Sequence, residues 1–222
     1  GSCVMFSAIG TLETQLNIVR DTPGTPLRFS TQHLLSCGPG SCDGGIPFLT
    51  RGYMQREGVP DAACFEYSSG AIGENISCAQ TCSDYAERSY RIAGQTAALS
   101  TMDEIKRQIM RGPVMSSMDV YDDFYYYRRG VYQHVTGEKL GGHSVSIIGW
   151  DDAEQAWIVR NSWGALWGDG GFFRIAWDDA SGLGDSVRGL ELADKDGFIS
   201  LLTPEHNAVT SGALSVTFES TY

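Results

Sequence analysis

The hydrophobic pattern of this chain changes period at Gly112-Pro113, and that change limits the folds open to it more than any other feature. Before this pair, apolar residues recur at helical spacing, with Phe6, Ile9, Leu12, Leu16 and Val19 lining one face. Residues 30–35 read as a short helix capped by Ser30, and residues 45–56 as another. Residues 101–111 read as the last helix, opened by a Thr101/Glu104 capping box and stopped by Gly112-Pro113. After the pair, residues 114–119, 130–133, 144–150, 156–161 and 171–177 alternate or run apolar at strand length between glycine and aspartate turns. A further strand candidate covers 213–218. A helix-rich part followed by a strand-rich part predicts an α+β chain of two lobes with a cleft between them.

Charge and cysteine content narrow the chemistry. The net charge is −11, with the acids spread along the chain. Such a surface repels phosphates and argues against a nucleic-acid partner. No run approaches eighteen apolar residues, so no membrane span is expected. Of the six cysteines, Cys3 stands just ahead of the first helix, which leaves Cys37, Cys42, Cys64, Cys78 and Cys82. In a secreted or lysosomal chain, an odd remainder needs a partner elsewhere. A zinc site is the alternative, but Cys37-x4-Cys42 and Cys78-x3-Cys82 depart from knuckle spacing and lie in glycine-rich or polar loops. Residues 64–82 read as a stapled surface loop, and the triplet Asn75-Ile76-Ser77 leans towards a secretory route. Because Gly1 already belongs to the motif around Cys3, material ahead of it is expected.

Three residues carry the candidate chemistry: Cys3 at a helix start, His143 in Gly-Gly-His, and Asn161 in Asn-Ser-Trp-Gly. A free thiol is only a few per cent thiolate at neutral pH, and the positive end of a helix dipole favours the anion. An adjacent imidazole completes a thiolate–imidazolium pair and later protonates the leaving amine. The Asn161 amide would hold the ring in one orientation, Trp163 would screen that bond from water, and the Cys3 N–H would supply one oxyanion donor. A cysteine, histidine or asparagine of this kind, taken singly, is more often a packing, surface or turn residue. The weight lies in finding the three together.

The words around them carry a resemblance. Gly-Ser-Cys-x-x-Phe-Ser (1–7), Gln-x-Leu-Leu-x-Cys (32–37), Cys-x-Gly-Gly (42–45), Gly-Pro-Val (112–114), Gly-Gly-His (141–143) and Asn-Ser-Trp-Gly-x-x-Trp-Gly (161–168) resemble the papain family of cysteine proteases, in the family's order. Residues 130–150 and 168–173 look like cathepsin B within it. The resemblance implies a two-lobe fold with a helical N-terminal lobe, a β-barrel-like C-terminal lobe and the active-site cleft between. It implies Cys3 as nucleophile, His143 as base and Asn161 as the orienting residue. Gly44 and Gly45 would pair with an extended substrate, Ile46 and Pro47 would wall a subsite, and Gly142, Trp163 and Ser186 would complete the substrate-binding set. Disulfides would join Cys37 to Cys78 and Cys64 to Cys82, with Cys42 bonded to a cysteine upstream of Gly1. No metal or cofactor is implied. The implied partners are protein and peptide substrates, an inhibitory propeptide and cystatin-type inhibitors, met by a monomer in a lysosome-like vacuole or outside the cell.

The sequence departs from the pattern in four places. The family's oxyanion glutamine would precede Gly1, and Val4 stands where tryptophan is usual. The stretch between Cys64 and Cys78 has no histidine, lysine or arginine to hold a substrate's C-terminal carboxylate, unlike cathepsin B's occluding loop. Ser186, beside Asp185, occupies the position of the acid that lets cathepsin B accept arginine, so an apolar preference is expected there. The leading reading is therefore a cysteine endopeptidase without carboxydipeptidase activity. Its peptidase domain would span 1–193, truncated at its N-terminal side, with 194–222 an extension of unknown role. A non-catalytic binding protein on the protease fold and a Cys-His acyl transferase or ligase are the alternatives.

Overall fold

The computed structural model describes residues 1–22 and 26–193. The strand expected at 213–218 lies outside the described residues. The chain divides into two compact units. The first comprises Gly1–Met5, Leu16–Gln95 and the described residues from Leu190 onward; the second comprises Phe6–Gln15 and Thr96–Gly189.

Helix α1 (Cys3–Arg20) contributes to both units. The spacing of its large apolar residues predicts one buried face, but Val4, Met5, Ser7, Ala8 and Thr11 are buried as well as Ile9, Leu12 and Leu16. Small and hydroxylated side chains therefore complete a helix enclosed on nearly every side. It ends at Asp21, whose left-handed φ of 52° turns its N–H back to the carbonyls of Asn17 and Ile18.

In the first unit, α2 (Thr31–Ser36) starts where Ser30 predicts, its hydroxyl accepting from His33 N–H at 2.9 Å. Next comes a two-stranded ribbon, β1 (Gly40–Ser41) against β2 (Gly44–Gly45), and then α3 (Pro47–Arg56). The helix expected from residue 45 thus begins at Pro47, whose fixed φ suits the first helical position; the glycines ahead of it are a strand. Short helices α4 (Ser69–Ile72) and α5 (Tyr85–Arg88) lie in or beside the cysteine-rich stretch. Disulfides Cys37–Cys78 and Cys64–Cys82 staple that stretch, which removes the zinc reading of those four cysteines. Cys42 is free among the described residues. Strand β3 (Gly94–Gln95) pairs with residues Leu190 and Glu191.

The second unit opens its own helix, α6 (Met102–Ile109), with the capping box read from sequence: Glu104 N–H donates to Thr101 Oγ1, and Thr101 N–H donates to Glu104 Oε2. Ile105 and Ile109 face the core. The strands are β4 (Val114–Tyr121), β5 (Val131–Tyr132), β6 (Lys139–Asp151), β7 (Ala156–Arg160), β8 (Phe172–Ala176) and β9 (Val187–Glu191). Their order is β9-β4-β6-β7-β8-β5, antiparallel except for β5 against β8. With β3 beyond β9, the sheet among the described residues stays open rather than closing into a barrel, because its edge strands β3 and β5 do not pair. Sequence reading does not anticipate β9; Gly189 interrupts its apolar alternation, and its pairing partners on β4 lie some seventy residues away in the chain. Phe124, Val145, Ile147, Val159, Phe173 and Ile175 are central to the unit's core. No described helix is long and apolar enough to cross a membrane.

Candidate active site

The first unit holds Cys3 at the opening of α1. Ser2, the residue before it, does not cap the helix with its side chain; its hydroxyl instead shares a 2.8 Å hydrogen bond with Tyr67. Met5 N–H donates to the Ser2 carbonyl at 3.0 Å, while the Ser2 hydroxyl is turned away from this end of the helix, where an anion is favoured. Gly1 lies so close to the ribbon that a Cβ there would overlap Cys42 O and Gly44 N. This contact sets the helix start against Gly44 and Gly45. Gly44 has φ of 140°, which an L side chain rarely adopts, and a Cβ built on it would meet nothing within 4 Å. Beneath, Met5 is buried against Gly40 and Gly45. Ile46 is 57% exposed, and Pro47 is half-buried at the first turn of α3.

The second unit holds His143 and Asn161. Strand β6 reaches back to Lys139, so His143 sits within the strand, opposite Met118 of β4, rather than ahead of it. Backbone pairing with β4, from Met118 opposite His143 to Tyr121 opposite Lys139, carries the strand past the expected start, and Lys139 also pairs with Asp119 at 2.6 Å. Ser7 Oγ donates to Val145 O at 2.8 Å, Ser146 Oγ donates to Ser7 O at 3.1 Å, and the Thr11 and Ser146 hydroxyls are 2.9 Å apart. The buried hydroxyls of α1 thereby fix the strand just beyond His143.

His143 and Asn161 are 7% and 9% exposed. The imidazole Nε2–H donates to Asn161 Oδ1 at 2.8 Å, and the same oxygen accepts from Ser162 N–H at 2.8 Å. Asn161 N–H in turn donates to Gly171 O at 3.0 Å, so the asparagine is held by backbone on both sides. Burial pushes the His143 imidazole below its usual value, while the bond to Asn161 works in the opposite direction. The Trp163 ring lies 5.1 Å from that of His143. Trp163 is itself stacked on Tyr125 at 4.9 Å and edged by Phe124 and Trp167.

The structure thus groups Cys3, Gly44, Gly45, Ile46 and Pro47 in one unit. It groups Gly142, His143, Asn161, Trp163 and Ser186 in the other, with Gly142 and Ser186 exposed and Ser186 in the turn before β9. Sequence reasoning missed Tyr67, which holds Ser2, and Tyr125, which holds Trp163. Tyr67 has no local signal, and Tyr125 sits in a tyrosine run, 125–127, that does not mark the stacked member.

A protein-family model described as papain family cysteine protease matches residues 1–188. The chain belongs to the papain family of cysteine proteases. It is 33% identical over 184 residues to cathepsin B-like CP3 of Giardia intestinalis, covering 79% of this chain and 61% of that protein. It is 33% identical over 213 residues to a gut-specific cysteine proteinase of Caenorhabditis elegans, covering 84% and 64%. The chain therefore spans about three-fifths of the length of these curated relatives. Among solved structures it resembles procathepsin B S9 from Trypanosoma congolense, with TM-score 0.75 and 27% identity over 87% of this chain and 69% of that one. It also resembles the bromelain protease of Ananas comosus in complex with the E64 inhibitor, with TM-score 0.70 and 28% identity over 87% and 90%.

Proposed function

We propose that this chain is a cysteine endopeptidase in which Cys3, His143 and Asn161 act together. The observation that carries the reading is the His143 Nε2–H bond to Asn161 Oδ1. With Nε2 committed as donor, Nδ1 of the neutral ring is the nitrogen that takes a proton, and burial favours that neutral ring. Nδ1 accepts the Cys3 proton, the thiolate attacks the scissile carbonyl carbon, and the Cys3 N–H donates to the developing oxyanion. His143 returns the proton to the leaving amine, which departs as the thioester forms; water then attacks the thioester and restores the thiol. Trp163 screens the His143–Asn161 bond from water.

Gly44 and Gly45 pair with the extended substrate, the open space at Gly44, where a Cβ would meet nothing within 4 Å, admitting its backbone. Exposed Ile46 together with Pro47 gives an apolar wall to the neighbouring subsite. Ser186, uncharged where the resemblance implies cathepsin B's acid, favours an apolar residue over arginine. Internal cleavage is supported by the stretch 65–77, whose only charged residues are Glu66 and Glu74; these repel a C-terminal carboxylate. The reading extends to residues 1–193 as the peptidase domain and to a monomer working in a lysosome-like vacuole or outside the cell. It also includes a propeptide, by likeness to procathepsin B, and cystatin-type inhibitors.

The test is mass spectrometry after exposure to an epoxide that alkylates papain-type thiols, using the chain with its upstream segment and a His143→Ala control. Stoichiometric modification at Cys3, lost in the control, is expected. Absence of labelling in folded, reduced protein refutes the catalytic reading. Release of C-terminal dipeptides as the main product refutes the endopeptidase part alone.

A further inference from the structure

A side chain of the disulfide-stapled stretch holds the turn ahead of Gly44-Gly45. Cys42 N–H donates to Asn75 Oδ1 at 2.7 Å. Both residues belong to the first unit. Asn75 is exposed, as are residues 71–74 before it. The segment around it is fixed on both sides. Gly73, with φ of 73°, ends α4; beyond Asn75, Ser77 Oγ accepts from Ala79 N–H, and Cys78 is bonded to Cys37. Since an N–H needs an acceptor, the amide orientation follows: Oδ1 faces the turn, and Nδ2 makes no hydrogen bond among the described residues.

Asn75-Ile76-Ser77 is also a glycosylation acceptor triplet with a non-proline centre, whereas Asn17, Asn161 and Asn207 each lack a hydroxyl residue two places on. The two intrachain disulfides fit a chain that folds in an oxidising compartment, where such transfer takes place. We propose that Asn75 is an N-glycosylation site whose Nδ2 carries an oligosaccharide while its Oδ1 keeps the bond to Cys42, so that the sugar leaves the surface beside the turn preceding Gly44-Gly45. In the transfer, Nδ2 attacks C1 of an oligosaccharide linked to a lipid pyrophosphate. The Nδ2–C1 bond forms, the C1–O bond breaks with its electron pair going to the pyrophosphate, and one amide proton is lost to a base. The product is still an amide, so its carbonyl remains an acceptor for Cys42. Neither half of this proposal depends on catalysis at Cys3.

The experiment expresses the chain with its upstream segment through a eukaryotic secretory pathway, taking secreted protein or, where it is retained, the endoplasmic-reticulum fraction. Intact mass is measured before and after a peptide N-glycosidase that converts glycosylated asparagine to aspartate. Loss of an oligosaccharide mass, with aspartate appearing at position 75, is expected. Asn75→Gln and Ser77→Ala should abolish it, and Ser77→Thr should keep it. Wild-type protein with both disulfides formed and Asn75 recovered as an unmodified amide overturns the site. Amide exchange at Cys42 tests the geometry. It should be as slow in the glycosylated protein as in the enzymatically deglycosylated form, whose new carboxylate still accepts, and about tenfold faster in Asn75→Ala, the loss of about one hydrogen bond's net worth. Exchange in the glycosylated protein as fast as in Asn75→Ala overturns the claim that the sugar leaves the bond intact.

Discussion

Replacing His33 with glutamine should flatten the loss of stability that this protein suffers in acid. His33 is 1% exposed on α2 and bridges three parts of the first unit. Its Nε2 lies 3.1 Å from the Tyr53 hydroxyl on α3, its Nδ1 lies 3.2 Å from Thr81 Oγ1 between the disulfide cysteines, and the Tyr85 ring stands 5.3 Å away. Burial pushes Tyr53 up to about 12, so its hydroxyl stays protonated and can donate to Nε2. The neutral ring with its proton on Nδ1 then satisfies both neighbours. Burial lowers the His33 imidazole from 6.5 to about 4. The unfolded chain therefore takes up a proton that the folded chain refuses throughout the interval between those values. Stability falls as pH drops through about 6.5 and levels off below about 4. By linkage the loss reaches about 2 kcal/mol at pH 5 and about 3 kcal/mol at pH 4. Glutamine does not titrate, so His33→Gln should be less stable than wild type at pH 7.5 for want of good hydrogen bonds, and the gap should close or reverse at pH 4. The assay is urea unfolding of both proteins, disulfides intact, at half-unit steps from pH 7.5 to 4. Subtracting one stability curve from the other removes every titration they share. A difference constant within about 0.5 kcal/mol across the range would refute the buried, neutral His33.

Three other perturbations follow from named contacts. Asn161→Ala removes the acceptor for His143 Nε2, a charge-assisted bond in the imidazolium state. Turnover of a peptide substrate should drop about 10- to 100-fold, and the histidine limb of the pH–rate profile should move to lower pH, because this bond supports the protonated ring. Asp123→Ala strips a carboxylate that accepts from Tyr132 Oη and from the N–H groups of Val135 and Thr136, with His134 Nδ1 at 3.1 Å. A cost of about 2–4 kcal/mol is expected in urea unfolding at neutral pH. Burial alone would raise the Asp123 carboxyl, but hydrogen bonds from Tyr132, Val135, His134 and Thr136 outweigh it and hold the group well below the usual carboxylate range. Its contribution is accordingly present above about pH 4 and fades as pH falls further, so the variant and wild type should converge in acid. Replacing Cys37 and Cys78 together by serine opens a link spanning 41 residues of chain and should cost about 4 kcal/mol of stability in the same urea assay. A change below about 1 kcal/mol would mean that the loop is ordered without the bond.

Local patterns carried a large part of this molecule. Ser30 and the Thr101/Glu104 pair are helix starts that need only neighbours three residues away, and the structure contains both as the sequence implies. Strands β4 to β8 were legible because alternation of apolar residues is a property of a few consecutive positions. The motif words around Cys3, His143 and Asn161 placed the chain in its family from residue order alone. Tertiary structure decided what depends on distant partners. Strand β9 exists because Val114 and Met115, far away in the chain, offer it an edge. Ser7, Thr11 and Ser146 read as ordinary polar residues, yet once buried they must pair, and pairing makes them the anchor of the strand that bears His143. Tyr67 and Asn75 carry no pattern that points to their partners; only folding brings one to Ser2 and the other to Cys42. Sequence determined which groups could do chemistry, because side-chain type and local backbone preference are fixed residue by residue. Their orientation was left to the fold, since a buried hydrogen bond is specified by both of its ends and the chain writes those ends far apart.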